Sequence, residues 1–240
     1  MTRSLSVPLA LAAALTLSLA ACGGEDEKAA AGPPATTPTP SATASTPVAP
    51  VTRTSAELTK ALLELADLPS GFTEDKEEAD EDSKPFSSPS SRCKTLVKYL
   101  NATKAPGSKA SVARTFTGGQ EGPYIDFGLD SMTTAEKVAD LRDSYAEAVE
   151  SCTKVTLKTD GAGSTSMKVE TITAPEYGAK PFAFRLTGTS GPKRGLEYAA
   201  VVTGVDDVIV SVGVLAGQGT ELDAATEAAV TKARHVLQPA

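Results

Sequence analysis

Tryptophan is absent from the 240 residues, and only six Phe and five Tyr supply aromatic rings. So thin an aromatic supply argues against a platform on which sugars or nucleobases stack. Cations are outnumbered, 23 Lys plus Arg against 30 Asp plus Glu for a net charge of −7. The chain therefore offers no basic patch to nucleic acid and stays soluble beside an anionic envelope. The single histidine, His235, sits late in a helical stretch beside Val236 and Leu237. That is a position favoured by the helix dipole, which explains it better than a role as catalytic base. No Gly-x-Ser-x-Gly elbow surrounds any serine, and Ser-x-x-Lys occurs without its supporting motifs. Long apolar runs are missing beyond the N-terminus, so no later segment is expected to span a bilayer.

What the N-terminus does contain is specific. Arg3 precedes an apolar stretch from Leu5 to Ala21 that is short for a membrane-spanning helix and ends in small residues, as a secretory signal does. It closes on Leu19-Ala20-Ala21-Cys22, which resembles the bacterial lipobox. Residues 1–21 are thus read as a signal peptide and Cys22 as the lipidated first residue of the mature chain. Anchoring would rest on the acyl chains, at the outer face of the cytoplasmic membrane. Losing Arg3 would take the net charge from −7 to about −8. Residues 22–53 are mostly Ala, Pro, Thr and Ser after a short charged patch, too poor in apolar surface to offset backbone entropy, and predict a disordered tether. Its Thr-Pro steps would suit O-glycosylation.

Residues 54–240 change character and predict one folded domain. Thr54-Ser55-Ala56-Glu57 is a capping box opening a helix with Leu58, Leu62 and Leu65 on one face. Leu68-Pro69-Ser70-Gly71-Phe72 breaks it, and residues 73–91, acidic and rich in Ser and Pro, read as loop. A short helix places Cys93, Leu96, Val97 and Leu100 on one side. A longer helix, capped by Thr133 with Glu136 three residues on, carries Val138, Leu141, Tyr145, Val149 and Cys152 at spacings of three and four. A last helix covers about 221–237. Setting aside Cys22, the even pair Cys93 and Cys152 predicts a disulfide in an oxidising compartment, since no His or further Cys lies nearby to make a metal site.

Seven strand signals fall between the helices, at 110–116, 124–130, 154–159, 167–173, 182–187, 196–203 and 208–215. Short connectors favour antiparallel neighbours. The expectation is an α+β domain with a twisted antiparallel sheet of six to seven strands, helices packed on one face, and one disulfide. The opposite face would then be wet and carry Tyr124, Asp126, Lys168, Glu170, Arg185 and Glu197. Of these, Tyr124, Asp126, Arg185 and Glu197 combine an aromatic plate with fixed charges and are the candidate ligand-binding residues, although alternation alone also produces such a face.

The order of elements, with the Leu68–Phe72 turn, a cysteine helix, a strand pair, a helix ending at Cys152, a strand meander and a C-terminal helix, resembles actinobacterial envelope lipoproteins related to the extracellular sensor domain of a mycobacterial Ser/Thr kinase. The resemblance spans about residues 55–238. It implies an α+β fold with a cleft for a ligand and no catalysis. The kinase domain's second disulfide has no counterpart here, and this chain has neither a kinase domain nor a membrane-spanning helix behind it.

Other motifs are weak. Gly217-Gln218-Gly219 lacks the third glycine of a dinucleotide loop, where Leu222 stands, and follows a meander strand. The acidic run from Glu74 to Asp82 lacks the alternation and central Gly of a calcium loop and reads as a solvated loop. Asn101-Ala102-Thr103 is a formal glycosylation sequon and, in a bacterial lipoprotein, an accidental one. No cofactor or metal is implied. The sequence points to a non-enzymatic, membrane-anchored binding or sensor-like lipoprotein for a small molecule or envelope protein. The alternatives are an interaction protein without a small ligand and, less favoured, a secreted hydrolase.

Overall fold

A computed structural model describes residues 52–76, 83–217 and 219–238. Cys22, most of the tether and the greater part of the acidic run lie outside the described residues. The capping box forms as expected: the Glu57 amide donates to Thr54 Oγ1 (3.3 Å) and the Thr54 amide to Glu57 Oε2 (2.7 Å), opening helix α1 (Ser55–Ala61). The helix stops before Leu62, so the apolar stripe continues through Leu58, Ala61, Leu62 and Leu63. Leu65, expected on the same face, has left helical phase and is 46 % exposed.

The remaining helices are α2 (Lys94–Leu100), α3 (Ala135–Ser151) and α4 (Glu221–Leu237). The cap of α3 falls on Thr134 and not Thr133, because Thr133 takes a left-handed conformation (φ 74°) and Thr134 Oγ1 accepts from the Lys137 amide. Among the described residues no helix is long and apolar enough to cross a membrane.

The strands are β1 (Thr73–Asp75), β2 (Phe86–Ser87), β3 (Ala110–Thr117), β4 (Tyr124–Ser131), β5 (Lys154–Thr159), β6 (Gly163–Ile172), β7 (Ala179–Ser190), β8 (Glu197–Val205) and β9 (Val208–Leu215). They make one antiparallel sheet in the order β1-β3-β4-β9-β8-β7-β6-β5-β2. The sheet therefore has nine strands, exceeding the six to seven expected. The two additions, β1 and β2, are three and two residues long and lie in the stretch read as loop. Strands so short leave no alternation to read.

Helices cover both faces of the sheet, contrary to the expectation of one. Register shows why. Phe127 pairs with Val212, Val212 with Val201, and Val201 with Ala183, so these share a face. That face, with Phe116, Ile125, Leu129 and Val208 to Val214 at alternate positions, packs on α1 and α4. The other parity, Phe182, Phe184 and Leu186 with Ala200, Met167 and Val155, packs on α2 and α3. Val202 and Ile209 extend it toward Val138 and Leu141 of α3. Central strands β8 and β9 are apolar at both parities, the pattern of strands buried on two sides.

Cys93, immediately before α2, and Cys152, immediately after α3, are joined as a disulfide. Both are buried and belong to the cluster beneath α2 and α3. Arg53, just ahead of the α1 cap, donates from Nε to Asp207 Oδ1 in the β8–β9 turn (2.8 Å). The disulfide spans 59 residues of sequence. Replacing Cys93 and Cys152 together by Ala should lower unfolding free energy by about 2–4 kcal/mol in urea titrations. A loss under about 1 kcal/mol would show that the helix pair holds without the bridge.

Candidate functional site

The four candidate residues do not form one surface. Asp126 pairs across the sheet with Gly213, and Gly213 with Ala200, which places Tyr124 and Asp126 on the α2/α3 face. Arg185 pairs with Ala199 and Glu170, and Glu197 with Thr187, which places Arg185 and Glu197, with Lys168 and Glu170, on the α1/α4 face. The single wet face expected from alternation is thus two half-faces on opposite sides. Each borders a cavity where a helix pair ends.

The recess on the α1/α4 face has a volume of about 630 Å³ and lies beside the start of α4, with Thr171, Thr173, Arg185, Glu197 and Glu221 on its walls. Arg185 Nη1 is 3.8 Å from Glu197 Oε1, and both side chains are partly exposed. A long, partly solvated pair of this kind is largely self-neutralised and worth little.

The cavity on the α2/α3 face is of a different kind. It measures about 450 Å³ and lies between the sheet, the α2–β3 connection and α3. Such a volume falls within the roughly 300–1,000 Å³ of small-molecule pockets. Small residues make its floor: Ala113, Gly128, Ala200, Ser211 and Gly213. Gly213 is required there, because a Cβ would overlap the ring and hydroxyl of Tyr198, which lies across it. Phe86, Leu100, Leu157, Phe184 and Leu215 supply apolar wall, and Tyr99, Tyr145 and Tyr198 supply aromatic wall with polar tips. Tyr99 and Tyr145 pack with ring centroids 4.3 Å apart.

Two carboxylates face this space. Asp130 is committed to structure: it accepts from the Ala105 amide (3.0 Å) and fixes the α2–β3 connection. Burial raises its pKa, opposed by hydrogen bonds from Ser111 and the Ala105 amide. Asp126 accepts from Thr115 Oγ1 (2.9 Å). Burial pushes its pKa up as well, the Thr115 hydroxyl opposing and the negative charge of Asp75 adding to the rise. No cationic side chain stands against Asp126 among the described residues. Burial also holds the Tyr145 and Tyr198 phenols well above their ordinary value, aided by Asp130 and Asp126 respectively, so both remain neutral donors.

Tyr124, although on this face, does not line the cavity; its hydroxyl donates to the Gln120 carbonyl (2.7 Å) and pins the β3–β4 turn. Tyr99, Tyr145 and Tyr198 escaped the sequence reading. Tyr145 lay on an apolar helix stripe, where core packing explains it equally well, and Tyr198 in a strand whose two parities are both apolar. No group of His, Cys, Asp and Glu able to hold a metal occurs among the described residues.

No family model matches the chain, and no curated protein does. A solved structure does. The chain shares its fold with the extracellular domain of PknH from Mycobacterium tuberculosis. The superposition has a TM-score of 0.59 at 17 % identity and covers 78 % of this chain and 97 % of that domain. The resemblance read from the order of elements therefore holds at the level of fold.

The raised pKa of Asp126 gives a signed prediction. Its ionised form is disfavoured on folding, so the native chain loses stability as pH rises from the unfolded carboxylate value through the raised one. Asp126→Asn keeps an acceptor for Thr115 and removes that loss. It should raise the melting temperature at pH 7, and the gain should vanish in acid, where wild-type Asp126 is protonated in both states. Equal melting temperatures at pH 7 would show that solvent in the cavity relieves the charge.

Proposed function

We propose that this chain is a non-enzymatic, lipid-anchored extracytoplasmic protein whose domain captures a small molecule in the cavity on the α2/α3 face. The observation that carries the reading is the combination in that cavity: a glycine- and alanine-floored space of about 450 Å³, three tyrosines on its walls, and Asp126 without a cationic partner among the described residues. Polar groups left in this state next to an apolar surface are how a binding site fixes the orientation of a ligand. The shared fold with an extracellular domain of a mycobacterial kinase supports an extracytoplasmic, sensor-like role. The interaction-protein alternative would need an apolar patch on the surface, whereas Leu65 is the one large hydrophobic side chain exposed among the described residues. A hydrolase would need a base beside a nucleophile, and the cavity walls offer neither His nor Cys.

The anchor is tested at Cys22. In the native host, Cys22→Ser should stop incorporation of a labelled fatty acid and move the chain from the membrane fraction to the medium; retention with label would refute the lipobox reading.

The cavity is tested by native mass spectrometry of the full chain released gently from its secreting host. A reproducible non-covalent adduct is expected, and it should be lost in Ala113→Trp. Ala113 is exposed and lines the cavity from β3, so a large ring there fills the space without entering the core. An adduct that survives Ala113→Trp, or none in the wild type, would count against this cavity as the binding site.

A further inference from the structure

We infer that the cavity on the α2/α3 face recognises an organic cation, an ammonium group on a small body carrying a hydrogen-bond acceptor. This rests on the binding reading above and names the ligand's chemical class.

The argument begins with a row of residues across the sheet. Asp75 pairs with Thr115 and Thr115 with Asp126, so two carboxylates and a hydroxyl share one face across β1, β3 and β4. The next position in the row, Gly213 on β9, has no side chain, and the Tyr198 ring from β8 lies over it. Asp126 thus looks into the cavity from one side and Tyr198 from the other. Tyr145 follows Tyr198 within electrostatic range, and Tyr99 packs on Tyr145.

Asp75 is the one charged group among the described residues that acts on Asp126. Asp75 is negative, Thr115 donates its single hydroxyl hydrogen, and Tyr198 is neutral. Lys104, the cation on the cavity rim, acts on Asp130 instead. An anionic ligand would meet the Asp126 carboxylate and is disfavoured there on charge. A cation would restore the ionised form of Asp126, which burial and the Asp75 charge disfavour, and could rest against tyrosine faces, where cation–π attraction strengthens once water is displaced. A bare metal ion fits poorly, since Asp126 is the one carboxylate not already committed and the walls are aromatic and aliphatic. Neither the Tyr145 nor the Tyr198 hydroxyl has a protein acceptor among the described residues, so each can donate to an acceptor on the ligand. A body of aliphatic carbon suits the remaining walls.

The probes are choline and its uncharged isostere 3,3-dimethylbutan-1-ol, which differ by one positive charge. Each is titrated by calorimetry into the full chain in a non-ionic detergent, and into Asp126→Asn. Choline should saturate, the isostere should bind at least tenfold more weakly, and Asp126→Asn should weaken choline at least tenfold while leaving the isostere unchanged. Choline affinity should fall as pH is lowered through the titration of Asp126. Equal binding of both probes, or choline binding indifferent to Asp126→Asn, overturns the cation assignment and leaves the cavity standing as a site for a neutral ligand. No binding of choline overturns the assignment too; the cavity reading then stands or falls separately on the native adduct and its sensitivity to Ala113→Trp. The melting temperature of Asp126→Asn controls for folding, since that variant is expected to gain stability.

Discussion

A sheet too wide for its helices is the constraint from which the rest of this structure follows. Nine strands at about 4.8 Å spacing span roughly 40 Å, while two helices packed side by side cover about 20 Å. The domain has two helices for each face, and in each pair one has 7 residues and the other 17. Each pair covers about half of its face, and the two halves are diagonal. α1 and α4 lie over the β3-β4-β9-β8 side on one face; α2 and α3 lie over the β5-to-β8 side on the other. Where a helix layer ends, an apolar sheet surface remains next to a helix wall. The two cavities lie at these steps, one on each face. The proposed binding site is thus a by-product of coverage, placed by the same packing that stabilises the fold.

That geometry also explains what the sequence could disclose. Local signals were strong: the capping box at Thr54 and Glu57, the stripe through Val138, Leu141 and Val149, and the seven longer strands all appear close to where periodicity put them. The cysteine pairing was legible because it needed only parity and position on helices. Which strands share a face was not. Alternation within β4 orders Ile125, Phe127 and Leu129 against Tyr124 and Asp126, but it cannot say whether Phe184 of β7 lies with the first set or the second. Register decides that, and register is a long-range property. One clue was present. Ala199 to Val202 and Val208 to Val210 are apolar at consecutive positions, which signals cover on both sides.

The site was legible to a corresponding degree. Asp126 stood out as a carboxylate amid a strand's apolar residues and does face a cavity. Arg185 and Glu197 belong to the opposite recess, because one step in parity separates Arg185 from Phe184. The tyrosines that wall the cavity carry no sequence mark that separates them from core aromatics. Their importance arises only when Gly213 clears the space that Tyr198 occupies and α3 brings Tyr145 alongside.

The two edge strands have a further consequence. β1 and β2 are separated by only a short stretch of sequence, yet they occupy opposite margins of the sheet. Each covers part of the margin next to it: β1 pairs with Thr115 to Thr117 of β3, and β2 with Thr156 and Leu157 of β5. Over the covered parts the outermost ladder is only three and two residues long, and β1 is Thr-Glu-Asp, with charge where a template for strand addition would need none. Both margins of the sheet are thus interrupted along their length, which breaks the long, flat edge that edge-to-edge polymerisation needs.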